Sequence, residues 1–264
     1  MYHVIFRACD KVNAVNGFER PAGVHKTILV KACFASLIVA LAEVAHRITV
    51  LGDKLSDELI EYFNRHDVTL IQGNYGNDES IRQALALAVK SNDDEWIYFC
   101  EDDYMHQPDA FKAINELIAH KNEYLDGGVS YYLNIKRHAR LLRDLVIFPA
   151  DYPDRYLAKY RRPSVIYSSG MCHWRQVYDI TFTFMAHVDT VRRYSKIINH
   201  CATGAKDTRL SKLIFKGYIP GFSAFCVSPI PGLVAHMHQG TMSPLVDWTS
   251  MLLKHVESSA QRSY

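Results

Sequence analysis

Hydrophobic and polar positions switch repeatedly between two periods over the first 120 residues. His3-Val-Ile-Phe-Arg7 reads as a first strand, ending in a polar turn around Asp10. From Thr27 to Ala45 the apolar residues Ile28, Leu29, Ala32, Leu37, Leu41 and Val44 fall close to helical spacing. Arg47–Leu51 is a second strand closed by Gly52-Asp53. Ser56 then predicts an N-cap, with Asp57 and Glu58 in the first turn, where the helix dipole favours anions. Val68–Ile71 is a third strand, followed by the loop Gly73-Asn-Tyr-Gly76 and a helix from Asp78 to Lys90 with Ile81, Leu85 and Ala88 on one face. Trp96–Cys100 is continuously apolar, as a central strand covered on both faces should be. Pro108 sits near the first position of a helix running to His120. This alternation predicts an α/β fold, a doubly wound and mostly parallel sheet with helices on both faces.

The second half is less regular. Gly127–Asn134 and Ser164–Ser168 read as strands, Asp179–Met185 alternates weakly, and helices are expected at Val188–Ile198 and Asp207–Lys216. No internal repeat or low-complexity linker divides the chain, so residues 1–264 are expected to form one domain, with a polar tail over 251–264 that frays.

Composition narrows the class. Of 264 residues, 48% are hydrophobic and 22% charged, with a net charge of +2. That supports a sizeable core and excludes a disordered chain, a collagen-like repeat and a strongly basic nucleic-acid binder. Six cysteines are scattered without a C-x-x-C pair, several in apolar runs, as in a reduced cytoplasmic protein. The most apolar stretch, Ile28–Ala45, is interrupted by Lys31 and Glu43, and the N-terminus lacks a basic region followed by an apolar run. A soluble cytoplasmic protein is expected.

The chemistry concentrates at Glu101-Asp102-Asp103, directly after the Trp96–Cys100 strand. In open α/β sheets ligands collect beyond the carboxyl ends of the strands. Adjacent carboxylates repel one another, and their ionised forms need a compensating cation. Such oxygen density suits Mg²⁺ or Mn²⁺ held together with substrate phosphates. The alternative is a solvated acidic loop that caps the next helix.

The segment Trp96-Ile-Tyr-Phe-Cys-Glu-Asp-Asp-Tyr-Met-His-Gln-Pro108-Asp-Ala resembles the D-x-D region of GT-A-fold glycosyltransferases, particularly family-2-like enzymes. There an apolar strand runs into an acidic motif and a proline opens the next helix. The resemblance implies that Asp103 binds the metal bridging the donor diphosphate, with Glu101 or Asp102 near the ribose or a metal-bound water. Glu101 departs from the usual first Asp. Asp53 resembles the acid that contacts the donor base, and Arg7 ends the first strand beside the same crevice. Gly76-Asn-Asp-Glu-Ser-Ile-Arg82 is similar to the element opening the helix before the D-x-D strand, which makes Arg82 a donor-binding candidate. On this resemblance residues 1–120 form the nucleotide-sugar-binding half and 121–250 the acceptor-binding half.

The same family places a general base at the start of a helix in its second half. Gly204-Ala-Lys-Asp207-Thr-Arg-Leu-Ser-Lys-Leu-Ile-Phe-Lys-Gly217 is similar to that element, with Lys206-Asp207 where Glu-Asp is usual. Asp207 as a plain helix N-cap is the competing reading. His236-Met-His238 offers further metal ligands, since a spacing of two lets both imidazoles face one side of an extended backbone, and imidazole suits Mn²⁺ better than Mg²⁺. His238 is the preferred ligand of the two.

Eight basic residues between Lys136 and Arg162, interleaved with Tyr152, Tyr156 and Tyr160, are read as a cover for an anionic donor, a contact with a lipid-phosphate acceptor at the inner membrane face, or a solvated face. Trp174 is a candidate sugar platform or a core residue. The implied activity is metal-dependent transfer of a sugar from a nucleoside diphosphate, uridine favoured, to a saccharide or lipid-linked hydroxyl in surface polysaccharide or glycolipid synthesis. Asp207 as base gives inversion, and Asp207 as a cap leaves retention open. Three other readings remain: nucleotidyl transfer, disfavoured by the lack of a G-x-G run in Ala8–Val24; metal-dependent hydrolysis using Glu101, Asp103, His236 and His238; and a non-catalytic nucleotide-sugar-binding protein.

Overall fold

The computed structural model describes residues 1–11, 20–126, 144–157, 164–215 and 224–261. The predicted strand Gly127–Asn134, most of the basic run between Lys136 and Arg162, and Lys216 lie outside these residues.

Four parallel strands form the frame. β1 (Tyr2–Ala8) lies between β2 (His46–Asp53) and β4 (Trp96–Glu101), and β3 (Thr69–Gly73) lines the outer side of β2. Arg7 is in register with Leu51 on one side and Glu101 on the other, so the polar ends of β1, β2 and β4 share one edge of the sheet. The sheet continues from β4 in the order β9 (Phe184–His187), β6 (Leu145–Ile147), β10 (Phe225–Ile230), β8 (His173–Val177) and β7 (Ile166–Ser168). Among the described residues only β8 and β9 run against the rest, so this sheet of nine described strands is mixed and largely parallel, in an α/β fold as expected.

Helices α1 (Lys26–Leu41), α2 (Asp57–Asn64), α3 (Gly76–Val89) and α4 (Ala110–Asp126) follow β1, β2, β3 and a short strand β5 (Tyr104–His106), respectively. α1 stops at Leu41, four residues short of the predicted end, and α4 begins two residues after Pro108. Ser56 precedes α2, but its hydroxyl donates to the Asp10 carboxylate instead of capping the helix. Asp179–Thr183 is loop, and only its continuation forms β9.

α1 is buried on two sides, which explains its lack of a polar face. Val30, Phe34, Leu37 and Leu41 join the sheet core, where Phe34 meets Phe6 and Phe63 edge-to-face at 5.2 and 5.0 Å. Leu29, Ala32 and Cys33 face a second cluster with Met105, Ala235, Met237, Trp248 and Leu252. The last two belong to a C-terminal helix, Trp248–Gln261, which packs on α1 and carries the first part of the polar tail. Two more helices, α5 (Val188–Ala202) and α6 (Asp207–Phe215), complete the second half. Among the described residues, no helix is long and apolar enough to cross a membrane.

Candidate functional site

A two-stranded ribbon builds the centre. β5 (Tyr104–His106) starts three residues after the end of β4 and pairs antiparallel with β11 (Val234–His236), with His236 opposite Tyr104. The Met237 amide donates to the Asp103 carbonyl at 2.8 Å, extending this pairing by one step. Asp103 therefore meets both histidines of the His-Met-His run. Its Oδ2 lies 3.2 Å from His236 Nε2 and 3.0 Å from His238 Nε2. The Thr241 hydroxyl bonds the carbonyls of His236 and His238, both at 3.0 Å, and holds the turn that brings the two rings together.

The surroundings fix both imidazoles. His236 stacks on the Tyr104 ring at 4.8 Å with an interplanar angle of 3°, and its Nδ1 lies 3.5 Å from the Tyr152 hydroxyl. His238 is buried. Burial works to raise the Asp103 carboxyl pKa, but the charge of His236 and hydrogen bonds from both imidazoles outweigh it and hold it well below the usual carboxylate range. His236 is raised in turn, because the Asp103 carboxylate outweighs burial, which alone would lower it.

One carboxylate oxygen and two imidazole nitrogens from these residues lie within 4.8 Å of one another. The other oxygen, Asp103 Oδ1, is buried and has no hydrogen-bond partner. A buried charged oxygen without a partner is costly. A divalent cation bound by this mixed oxygen and nitrogen set would supply the missing partner, and such a set suits Mn²⁺. The residues present fit a metal centre.

The neighbouring acids have other partners. Glu101 accepts from Arg7 Nη1 at 3.4 Å and from the Thr183 hydroxyl at 3.1 Å. Burial pushes its carboxyl up, against the opposing charge of Arg7. Asp102 accepts from Lys26 Nζ at 2.5 Å and from the Cys9 amide at 2.7 Å. Its carboxyl is also pushed up by burial, with the Lys26 charge working the other way.

The remaining candidates divide. Beside its contact with Glu101, Arg7 donates to Asn77 Oδ1 at 2.7 Å and to Ser80 Oγ at 3.0 Å. The start of α3 therefore contributes Asn77 and Ser80 to this corner, while Arg82 pairs with Glu79 and reaches Thr203 at 2.7 Å. Asp53 is buried and accepts from the amides of Tyr75 and Gly76 at 2.6 and 3.0 Å, one bond per carboxylate oxygen. Gly76 has φ of 70°, a left-handed value that glycine tolerates.

Asp207 opens α6 and lines a cleft of about 330 Å³ with Tyr152, Tyr178, Asp179, Thr181 and Lys212. Its Oδ1 accepts from the Thr208 amide at 2.6 Å, so a cap-like bond and a place in a cleft coexist. Tyr152 and Thr181 join this cleft to the Asp103–His236–His238 cluster, since both hydroxyls bond that of Tyr104, at 2.7 and 2.9 Å. Trp174 is fully buried and is a core residue, not a sugar platform.

Sequence reasoning missed Lys26, Tyr104 and Thr183, and it placed Tyr152 only within the basic run. Lys26 alone left a signal, a cation at the head of an apolar helix.

No family model and no curated protein matches the chain. Among solved structures it is similar to the galactosyltransferase LgtC in complex with donor and acceptor sugar analogues, at 9% identity over 97% of this chain and 95% of that one, with a TM-score of 0.48. It is similar also to a nucleotidyl transferase from Methanothermobacter thermautotrophicus, at 14% identity over 96% and 98%, TM-score 0.46. A third is a CMP-2-keto-3-deoxy-manno-octonic acid synthetase complexed with CTP, at 12% identity over 99% and 100%, TM-score 0.42.

Proposed function

We propose that this protein is a metal-dependent glycosyltransferase, moving a sugar from a nucleoside diphosphate, a UDP-sugar by preference, to a hydroxyl of a saccharide or lipid-linked acceptor. One observation carries the reading. Asp103, just beyond the carboxyl end of a central parallel strand, converges with His236 and His238 and keeps one buried oxygen without a partner.

Asp103, His236 and His238 would hold Mn²⁺, or Mg²⁺ in its place. When bound, that cation offers Lewis-acid stabilisation to charge building on a departing diphosphate. Tyr104 and Tyr152 keep the His236 ring in place through stacking and the hydroxyl contact at Nδ1. Arg7, tied to Glu101 and α3, brings positive charge to the crevice where the donor binds. The acceptor occupies the Tyr152–Asp207 cleft, and Asp207 takes the proton of the attacking hydroxyl. In-line attack then inverts the anomeric carbon.

The test is a thermal-shift panel of nucleotides and nucleotide sugars with and without Mn²⁺, on the wild type and Asp103→Asn, followed by product analysis with the donor that binds. A Mn²⁺-dependent stabilisation by one nucleoside diphosphate sugar, lost in the variant, is expected. Free sugar formed equally with or without acceptors would replace this reading by hydrolysis. Pyrophosphate release from a nucleoside triphosphate and a sugar phosphate would replace it by nucleotidyl transfer.

A further inference from the structure

Lys26 occupies an unfavourable place. It is the first residue of α1, where the helix dipole disfavours a cation, and it is only 9% exposed. Burying an ammonium is costly unless it is paired. The pairing is with Asp102, at 2.5 Å. Burial pulls the Lys26 pKa down, but the carboxylates of Asp102 and Asp103 outweigh it and hold the group above its ordinary value. A buried ion pair is weak evidence for stability, since a well-packed apolar pair often serves as well. The pair therefore calls for a reason other than folding.

Its surroundings supply one. Asp102 is next in sequence to the one carboxylate that meets both histidines, yet it has different partners. One oxygen accepts from Lys26 and the other from Cys9, the residue following β1. Without the ammonium, one Asp102 oxygen would lose its partner, and a cation at Asp103 would draw that carboxyl into its ionised form as a second negative charge.

We propose that Lys26 sets the charge of the Asp103 centre, withholding Asp102 from the cation and cancelling its charge so that one carboxylate and two imidazoles remain the donor set. This inference rests on the cation reading above. Lys26 is a positioning residue, acting through Asp102. Its consequence is a cation held with moderate affinity, able to leave with a diphosphate product. A unit charge about 10 Å from a divalent ion, at an effective dielectric of about 50 (between protein and water), shifts its affinity about tenfold.

The experiment is a four-corner cycle on the full chain: wild type, Lys26→Met, Asp102→Asn and the double variant. Mn²⁺ dissociation constants are read by electron paramagnetic resonance of the free ion, with circular dichroism to confirm folding. Lys26→Met is expected to bind Mn²⁺ about tenfold more tightly and Asp102→Asn about tenfold more weakly, with the double variant within about threefold of wild type. A merely structural pair would weaken binding in both single variants. Equal or weaker binding by folded Lys26→Met overturns the inference. If Lys26→Met does not fold, the double variant must still bind about tenfold more tightly than Asp102→Asn, and equality of those two overturns it. No Mn²⁺ binding by the wild type overturns the cation centre and this inference together, whereas wild-type binding with a flat cycle overturns the inference alone.

Discussion

Acid should weaken this fold at one identifiable histidine. His106, in β5, is 1% exposed, and its Nε2 lies 2.9 Å from the Tyr98 hydroxyl. Burial pushes its pKa down from 6.5 to about 3. The sign follows from the direction of that shift. A histidine that resists protonation in the native state contributes full stability above pH 6.5, and the contribution is lost as pH falls from 6.5 toward 3, because only the unfolded chain takes up the proton. From pH 7 to pH 4.5 the loss comes to about 2.5 kcal/mol at 1.36 kcal/mol per pKa unit. That is a large share of the ~5–15 kcal/mol by which a domain is stable.

The perturbation is His106→Phe, which fills a similar volume beside Phe111 and Tyr98 and carries no titratable group. At pH 7 the variant should lose about 1–2 kcal/mol, because the Tyr98 hydroxyl is left without the imidazole. Between pH 7 and 4.5 it should then lose about 2.5 kcal/mol less than the wild type, so the two stability curves converge or cross. Urea denaturation at pH 7.0 and 4.5 measures this, with the slope checked for constancy. Parallel losses in the two proteins would refute the assignment of the acid lability to His106.

Three further outcomes follow from particular contacts. Asp53→Ala removes the acceptor for the Tyr75 and Gly76 amides and should cost about 1–2 kcal/mol in urea denaturation, as loss of a helix cap does; an unchanged midpoint would show that the Asp53 contacts contribute nothing to stability. Leu252→Ala, fully buried between the C-terminal helix and α1, should destabilise by about 2–5 kcal/mol, whereas a frayed tail would leave the melting temperature untouched. Tyr152→Phe removes the hydroxyl near His236 Nδ1 and should weaken Mn²⁺ binding about tenfold without changing the fold, as read by titration and circular dichroism.

The parallel half of the sheet was legible because each strand and helix there carries its own periodicity. Trp96–Cys100 is apolar throughout, and it is covered on both faces. The Asp103–His236–His238 cluster was legible only as separate candidates. Asp103 could be singled out by its place after that strand, and His236 and His238 by their spacing. Their meeting depends on a ribbon of two three-residue strands more than a hundred positions apart, too short for any period to declare itself. Strands β6, β8 and β10 escaped for a related reason. Leu145–Ile147 offers only three apolar residues, while His173–Val177 and Phe225–Ile230 include Arg175, Ser228 and Pro229, residues whose burial is decided by partners elsewhere in the chain.

The acidic triplet shows most clearly what a linear reading misses. In sequence Glu101, Asp102 and Asp103 form one block of charge, and repulsion within the block suggested a shared cation. The fold relieves that repulsion differently. Glu101 is held by Arg7 and Thr183, Asp102 by Lys26 and the Cys9 amide, and Asp103 by His236 and His238. Two of the three charges are thus compensated by the chain's own cations. Only Asp103 keeps a buried oxygen without a partner. A cation bound here would see one carboxylate and two neutral imidazoles, a weaker and more selective donor set than three carboxylates. The arginine at the end of β1 and the lysine at the head of α1 therefore belong to the description of the site as much as the acids do, because they decide how much charge a cation meets.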